Sequence, residues 1–201
     1  MAAGLARSRI LEQAGDLFLA HGASGVTMRG LAARMGVTPM ALYRHFESRD
    51  DLLRALLDEG HATFLRYLNR ALGEATPEAR LLASGRQYLA FALEHPRSYA
   101  VMFMEHVPES PGKQRGQSWL DMATFRFLVD RIRECAAAGA LDTDEPEHVA
   151  LTTWAHVHGL VSLFLAGKLA VDRKEFERIY LRSIVALMGA FGWRGGREDR
   201  A

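Results

Sequence analysis

A short segment between Thr38 and His45 combines hydroxyl, phenol, guanidinium and imidazole groups. Thr38 can cap a helix, and Pro39 suits the first helical position, where its missing N–H leaves no bond unmade. On such a helix the outward face would present Thr38, Pro39, Ala41, Tyr43, Arg44 and His45. Hydrogen-bonding, apolar and cationic groups near the N-terminus of one helix are what reading base edges in a DNA major groove requires.

The residues around this segment have the spacing of a helix-turn-helix. Leu31-Ala32, Gly36-Val37 and Leu42 follow one another in the order small residue, glycine and aliphatic residue. Ala32 would let two helices cross closely, and Gly36 would supply the positive φ of a tight turn. Leu31, Val37 and Leu42 would hold both helices to a shared core. The alternative is a helical hairpin with no role in DNA binding.

The residue pattern gives little support to enzymatic chemistry. His156 and His158 are two residues apart, about 200° around a helix, so they cannot share a metal ion from one helix. The sequence contains no phosphate-cradling glycine loop, zinc-protease motif or nucleophile elbow. We expect Cys135 to be buried and inert because no base neighbours it in the sequence. We therefore expect no catalytic residue, no bound metal and no cofactor.

Helix caps and breakers divide the chain into about nine helices, which predicts an all-α fold. The predicted helices lie at about 7–21, 27–36, 38–46, 48–72, 76–95, 96–105, 119–138, 144–167 and 172–191. Residues 106–117 contain two prolines and two glycines, which is typical of a loop. Residues 193–201 are expected to form a frayed tail.

Composition places the chain among ordinary globular proteins. Apolar residues make up 49% and charged residues 24% of the 201 residues, with a net charge of +1. The single cysteine and the lack of an apolar leader predict a reducing, cytoplasmic location, and the apolar runs are too short to cross a membrane. Residues 1–49 contain six arginines and three acidic residues, a mild local excess of positive charge.

The N-terminal quarter resembles the DNA-binding domain of the TetR family of bacterial repressors. The resemblance covers about residues 7–60 and rests on Gly22, Gly25, Thr27-Met28-Arg29, Leu31-Ala32, Gly36-Val37, Leu42-Tyr43-Arg44-His45-Phe46 and Arg49. It implies an all-α homodimer that binds double-stranded operator DNA. The implied domains are residues 1–50 for DNA binding and 51–192 for ligand binding and dimerisation, with 51–72 as the connecting helix.

The resemblance also implies roles for individual residues in DNA binding. Arg29 would read a base and Thr27 would contact a phosphate from the start of its helix. Base-edge positions are Thr38, Pro39 and Ala41; phosphate-contacting positions are Tyr43, His45 and Arg49, and Arg44 could serve either purpose. Alternatively, His45 only caps a helix and Arg49 is only a solvated charge. Glu47 departs from the family pattern, because an acid there would weaken phosphate contacts.

The C-terminal part resembles a TetR class named for a Trp…His-Gly motif. Trp154-Ala155-His156-Val157-His158-Gly159 and Glu94-His95-Pro96 carry this resemblance, which covers about residues 80–190. Within the same part, Ala155, Gly159, Ser162 and Ala166 form a stripe of small residues at helical spacing. The last helix is too apolar to have one buried face. These features predict a homodimer through the last two helices, the alternative being an intramolecular core.

Large or pliable apolar residues are concentrated in the fifth to eighth helices and predict a pocket for a small molecule. The candidate ligand contacts are Tyr88, Tyr99, Met102, Phe103, Trp119, Met122, Phe125, Trp154 and His158. Each could instead be a plain core residue, and His158 a hydrogen-bonded core histidine. No charge cluster points inward by pattern, which favours a neutral, largely apolar effector.

Together these features predict a ligand-responsive transcriptional repressor released from a palindromic operator by its effector. The alternative is a small-molecule-binding helical module without DNA binding. Activation instead of repression also stays open, because the sign depends on where the operator lies.

Overall fold

A computed structural model describes residues 2–103 and 122–194, with side chains from residue 7 onwards. Within these ranges the chain forms nine α-helices and no strand, which confirms the all-α prediction. The helices are α1 (Ala2–Gly25), α2 (Met28–Met35), α3 (Pro39–Tyr43), α4 (Arg49–Arg70), α5 (Pro77–Glu94), α6 (Pro96–Phe103), α7 (Ala123–Ala137), α8 (Pro146–Leu165) and α9 (Arg173–Ala190). A 3₁₀ turn, Ala71–Gly73, follows α4.

The described part of the chain divides into two compact units. One contains the residues up to Thr63 together with the segment from Ala92 to Phe103. The other contains the segment from Phe64 to Phe91 together with residues 122–194. The first unit therefore includes most of α4 and all of α6 beside the predicted helix-turn-helix. No helix in the described ranges is long and apolar enough to span a bilayer.

The first unit begins with two helices whose ends are set by glycine and threonine. The helical backbone of α1 is interrupted at Gly22, which has φ +67° and ψ −172°. Thr27 caps α2, and Gly36 ends it in the left-handed conformation, with φ +67°. The Gly36 and Val37 N–H groups donate to the carbonyls of Ala33 and Ala32, so the last turn of α2 is satisfied. The turn chemistry predicted from Gly36 is confirmed.

Leu31, Ala32 and Leu42 are almost completely buried and pack in one core with Phe18 and Phe46. The prediction that Val37 also enters this core is wrong, because its side chain is 41% exposed. The backbone of residue 37 completes the α2 turn and leaves its side chain outside.

The second unit contains most of α5 and all of α7, α8 and α9. Asp172 caps α9 by accepting from the Glu175 N–H at 2.8 Å, and Gly139 ends the α7 region with φ +71°. The Tyr180 hydroxyl donates to the Gly85 carbonyl at 3.0 Å and joins α9 to α5. Phe164 and Phe176 stack with their ring centroids 4.0 Å apart, which joins α8 to α9.

Several predicted boundaries need correction. The first helix begins at Ala2 instead of residue 7, and α3 ends at Tyr43 instead of residue 46. The last residues of the predicted fourth helix form the 3₁₀ turn instead. In the described ranges α7 begins at Ala123, and Met122 is its N-cap. The predicted loop at 106–117, the predicted helix start at 119–121 and residues 195–201 of the predicted tail lie outside the described residues.

Candidate functional site

The start of α2 holds two predicted DNA contacts at the protein surface. Thr27 has an extended backbone, and its hydroxyl oxygen accepts from the Gly30 N–H at 3.0 Å. This bond fixes the first turn of α2, because the first N–H groups of a helix have no partner within the helix. Arg29 lies within the same turn and is exposed. Its guanidinium therefore stands on a capped helix end with access to solvent.

The outward face of α3 is open to solvent. Thr38, Pro39 and Arg44 are exposed, and Tyr43 has 48% of its surface accessible. Thr38 occupies the N-cap position but makes no capping hydrogen bond with its side chain. Ala41 and His45, also predicted DNA contacts, are half-buried.

Sequence reasoning did not include Met40, although its side chain is 70% exposed. Met40 lies between Pro39 and Ala41, two predicted base-edge positions, so we add it to the candidate DNA contacts. A large apolar side chain held in solvent can contact a thymine methyl group. The helical register could have indicated this exposure. Residues two apart on a helix point in nearly opposite directions, and Leu42 is buried.

The helix-turn-helix contains basic residues and no acidic residue. Residues 17–46 contain Arg29, Arg34 and Arg44 and no acidic residue. Arg34 is committed to α1, because its Nε donates to Gln13 Oε1 at 2.8 Å and its Nη2 lies 3.5 Å from Asp16 Oδ2. Arg29 and Arg44 are left to supply positive charge on the exposed side.

Arg49, predicted to contact a phosphate, is placed differently from the other candidates. Its side chain is 34% exposed, and the guanidinium turns toward the segment between α1 and α2. Its Nε donates to the Val26 carbonyl at 2.7 Å, and its Nη2 donates to the Ala23 carbonyl. Glu47, two residues before Arg49 in the sequence, is exposed to solvent. Its backbone N–H donates to Asp51 Oδ2 at 3.0 Å.

In the second unit, four of the predicted ligand contacts form a connected group. The Tyr88 hydroxyl lies 3.3 Å from His158 Nδ1, and the Ser162 hydroxyl lies 3.4 Å from His158 Nε2. The centroid of the Trp154 ring lies 6.2 Å from the centroid of the His158 imidazole and 6.0 Å from that of the Phe125 ring. Burial lowers the pKa of His158 below its ordinary value, which favours the neutral imidazole. The group therefore combines hydrogen-bonded polar side chains with aromatic surface, and burial disfavours a positive charge on its imidazole.

The remaining ligand candidates are placed elsewhere or lie outside the described residues. Tyr99, Met102 and Phe103 belong to the first unit, where Tyr99 is fully buried with its ring centroid 5.0 Å from that of Phe103. Met122 is half-buried at the N-cap of α7. Trp119 lies outside the described residues.

In the part of the chain that the structure describes, Cys135 is not placed as a reactive thiol, and no group of side chains suited to a metal ion is found. Cys135 is completely buried, as predicted. Burial raises the pKa of its thiol to about 12, which leaves no reactive thiolate at neutral pH. In the described ranges, no three His, Cys, Asp or Glu side chains are grouped so that they could hold a metal ion.

Comparison with known families agrees with the helix-turn-helix geometry. A family model described as bacterial regulatory proteins, tetR family, matches residues 10–56. A second, described as tetracyclin repressor-like, C-terminal domain, matches residues 81–187, more than half of the chain. The chain belongs to the TetR family. Members are DNA-binding transcriptional regulators and not enzymes, which agrees with the predicted class. The finer Trp…His-Gly class stays a prediction.

Curated relatives carry names of the same kind. The HTH-type transcriptional repressor KstR2 of Mycobacterium tuberculosis is 30% identical over 168 residues, which cover 75% of this chain and 79% of the relative. An uncharacterised HTH-type transcriptional regulator, Rv0681, of the same species is 28% identical over 190 residues, covering 92% of this chain and 81% of the relative. The match to the regulator Rv1816, also from that species, covers 50% of this chain and only 44% of the relative.

Solved structures show the same fold. A Rhodococcus sp. RHA1 protein described as having unknown function superposes with a TM-score of 0.74 and 26% identity, over 92% of this chain and 94% of the other. The regulator AibR, solved in complex with isovaleryl coenzyme A and operator DNA, superposes with a TM-score of 0.72 over 90% of this chain and 97% of the other. At 22% identity this second likeness shows the fold alone.

Proposed function

We propose that this TetR-family chain is a ligand-responsive repressor that leaves a palindromic operator when a small, largely apolar effector binds. The observation that carries the proposal is the exposed, acid-free surface formed by the start of α2 and the outer side of α3. An exposed surface of this composition can contact both base edges and phosphates. The proposed location is the cytoplasm, where operator DNA is found.

The proposed contacts to DNA are the polar side chains among the exposed members of the predicted set. Arg29 and Arg44 supply charge, Thr27 and Thr38 supply hydroxyl groups, and Tyr43 reaches a phosphate. We also propose the domain division given by the sequence, with DNA binding in residues 1–50, effector binding and dimerisation in 51–192, and a tail from 193 to 201.

A homodimer through α8 and α9 is supported by apolar side chains that this chain leaves in solvent. Leu151 and Leu163 on α8 are 37% and 46% exposed, and Val185 on α9 is 42% exposed. Large apolar side chains exposed on neighbouring helices are typical of a surface that a partner covers. Dimerisation would duplicate the DNA-binding surface, as a palindromic operator requires.

The proposed effector contacts are Tyr88, Trp154, His158 and Phe125 in the second unit. A neutral imidazole between two hydroxyl groups suits a ligand with an uncharged hydroxyl or carbonyl group, because it offers no compensation for a buried anion. Aromatic surface at Trp154 and Phe125 suits the apolar remainder. The AibR complex supports the general scheme, in that one protein of this fold was solved with a small molecule and operator DNA together.

Effector binding would act by changing the separation of the two recognition helices. In a dimer these helices must stand about 34–36 Å apart to enter successive major grooves. An effector shifts this equilibrium only by its difference in affinity for the two conformers, and about 3 kcal/mol of coupling lowers operator affinity about 100-fold. The proposed connecting element is α4, which contributes residues to both units.

Selection of bound sequences from random DNA tests this function. Repeating the selection with and without an extract of small molecules also tests the effector response. The expected result is a palindromic site whose enrichment falls when extract is present. Arg29→Ala and Tyr43→Ala should lose binding to the selected site in a gel shift. If the native protein shows no sequence-dependent binding, the repressor proposal fails. The chain is then a helical ligand-binding module.

A further inference from the structure

The guanidinium of Arg49 is engaged on three sides by groups of the protein. Its Nε donates to the Val26 carbonyl at 2.7 Å, its Nη2 donates to the Ala23 carbonyl, and its Nη1 lies 3.3 Å from Asp50 Oδ1. Charge-assisted bonds of this kind are stronger than bonds between neutral groups. The planar fork of arginine allows two acceptors to be held at once, which fixes the direction of the side chain.

The Ala23 carbonyl lies in the last turn of α1, and the Val26 carbonyl directly precedes the N-cap of α2, so both border the passage from α1 into α2. The Ala23 carbonyl also accepts the Val26 N–H at 3.2 Å, which closes the turn. Val26 is fully buried and directly precedes Thr27, the N-cap of α2. The helical backbone of α1 is interrupted at Gly22, the residue before Ala23. Arg49 therefore ties the first residue of α4 to the backbone immediately before the reading end of α2.

We propose that Arg49 is a positioning residue that fixes the entry of α2, and with it Thr27 and Arg29, instead of clamping a DNA phosphate. The proposal rests on the DNA-binding function and concerns how the surface is held in shape. A phosphate contact needs the positive charge of residue 49 to face DNA. A positioning role needs the two-pronged geometry that reaches Ala23 and Val26, which a lysine ammonium cannot reproduce.

Two variants separate these roles by salt dependence. Arg49→Lys keeps the charge and Arg49→Ala removes it, while Arg54→Lys on the same helix serves as the matched control. We expect both residue 49 variants to lose about tenfold or more in operator affinity, with an unchanged slope of log affinity against log salt. A phosphate clamp gives the opposite result, namely nearly native affinity for Arg49→Lys and a slope reduced by about 0.9 for Arg49→Ala. That result would overturn the proposal.

Amide hydrogen exchange in the free protein provides a readout that does not depend on DNA. Loss of the Arg49 bonds should accelerate exchange at Val26, Gly30 and Leu31 in both residue 49 variants and leave it unchanged in Arg54→Lys. Native rates at these amides in folded Arg49→Lys would refute the positioning role. If the native protein selects no DNA sequence, the proposed function fails, and the exchange rates still decide the role of Arg49.

Discussion

At the scale of single residues, exposure separates side chains available to DNA from those that hold the fold. Met40 and Leu42 illustrate the contrast, because they are two residues apart and are 70% and 1% exposed. Removing an exposed side chain changes stability little, whereas removing a buried leucine creates a cavity. Changes at the exposed positions should therefore affect binding separately from folding.

Met40→Ser tests this separation directly. We expect its free energy of unfolding in urea to stay within about 0.5 kcal/mol of the native value, because the side chain is mostly in solvent. Operator affinity should fall, with the loss concentrated at one base pair of the selected site. Equal affinity for every single-base variant of the site would contradict a base contact at residue 40.

Replacing Glu47 should increase the affinity for operator DNA. Glu47 is exposed and follows the predicted phosphate contact His45 by two residues, so Glu47→Gln would remove a repulsion from DNA without emptying the core. We expect tighter operator binding in the variant, with the gain largest at low salt and smaller as screening increases. A fluorescence titration at several salt concentrations measures this, and weaker binding at low salt would refute it.

The lowered pKa of Glu134 predicts that the free energy of unfolding depends on pH. The hydrogen bonds from Arg131 lower its pKa, and a bond from Arg80 adds to this, while partial burial opposes it. Since the folded-state pKa lies below the unfolded one, the stabilisation is present above the usual carboxyl pKa and is lost as pH falls through the folded value. Glu134→Gln should be less stable than native protein at pH 7, and urea unfolding should show the difference shrinking toward pH 3.

At the scale of elements, the last turn of α1 leaves no room for a side chain at Gly25. A Cβ on Gly25 would collide with the Cβ of His21, which is attached directly to the backbone and cannot swing away. We expect Gly25→Ala to lower the free energy of unfolding by about 1–3 kcal/mol and to weaken operator binding. Gly73→Ala is the matched control, because a Cβ added at Gly73 would meet no other atom within 4 Å. Equal stability of the two variants would contradict this account.

Local chemistry made much of the element order predictable. Helices begin or end at or beside five residues whose effect is confined to their sequence neighbours, namely Thr27, Gly36, Pro39, Gly139 and Asp172. The exposed face of α3 could be inferred because helical periodicity alone fixes which side a buried leucine faces.

Placement that depends on distant contacts could not be predicted. The sequence shows Arg49 only as a basic residue at a helix start, and nothing local indicates that it reaches Ala23 and Val26, more than 20 residues earlier. Similarly, α6 packs on α1, where Arg97 forms ion pairs with Glu12 and Asp16. Tyr99 therefore belongs to the first unit, and its role as a ligand contact stays a prediction.

At the scale of the whole molecule, the proposed repressor requires two copies. Leu163→Glu and Val185→Glu would place charges on the proposed interface and should shift the protein to a monomer in sedimentation experiments, with loss of binding to a full palindrome. Leu72→Glu is the control, since Leu72 is as exposed as Leu163, at 47% against 46%, but lies outside α8 and α9. If the α8 and α9 variants sediment like native protein, another surface must join the copies.

The close approach of α4 and α6 at Gly60 has a consequence for which sequences can share this arrangement. A methyl group at residue 60 would lie 3.1 Å from both Cγ and Sδ of Met102, closer than ordinary van der Waals contact. A larger residue at 60 therefore requires the Met102 side chain to shift or a smaller residue to stand at 102. Among homologues that keep these helices in contact, we expect residue size at the two positions to vary reciprocally.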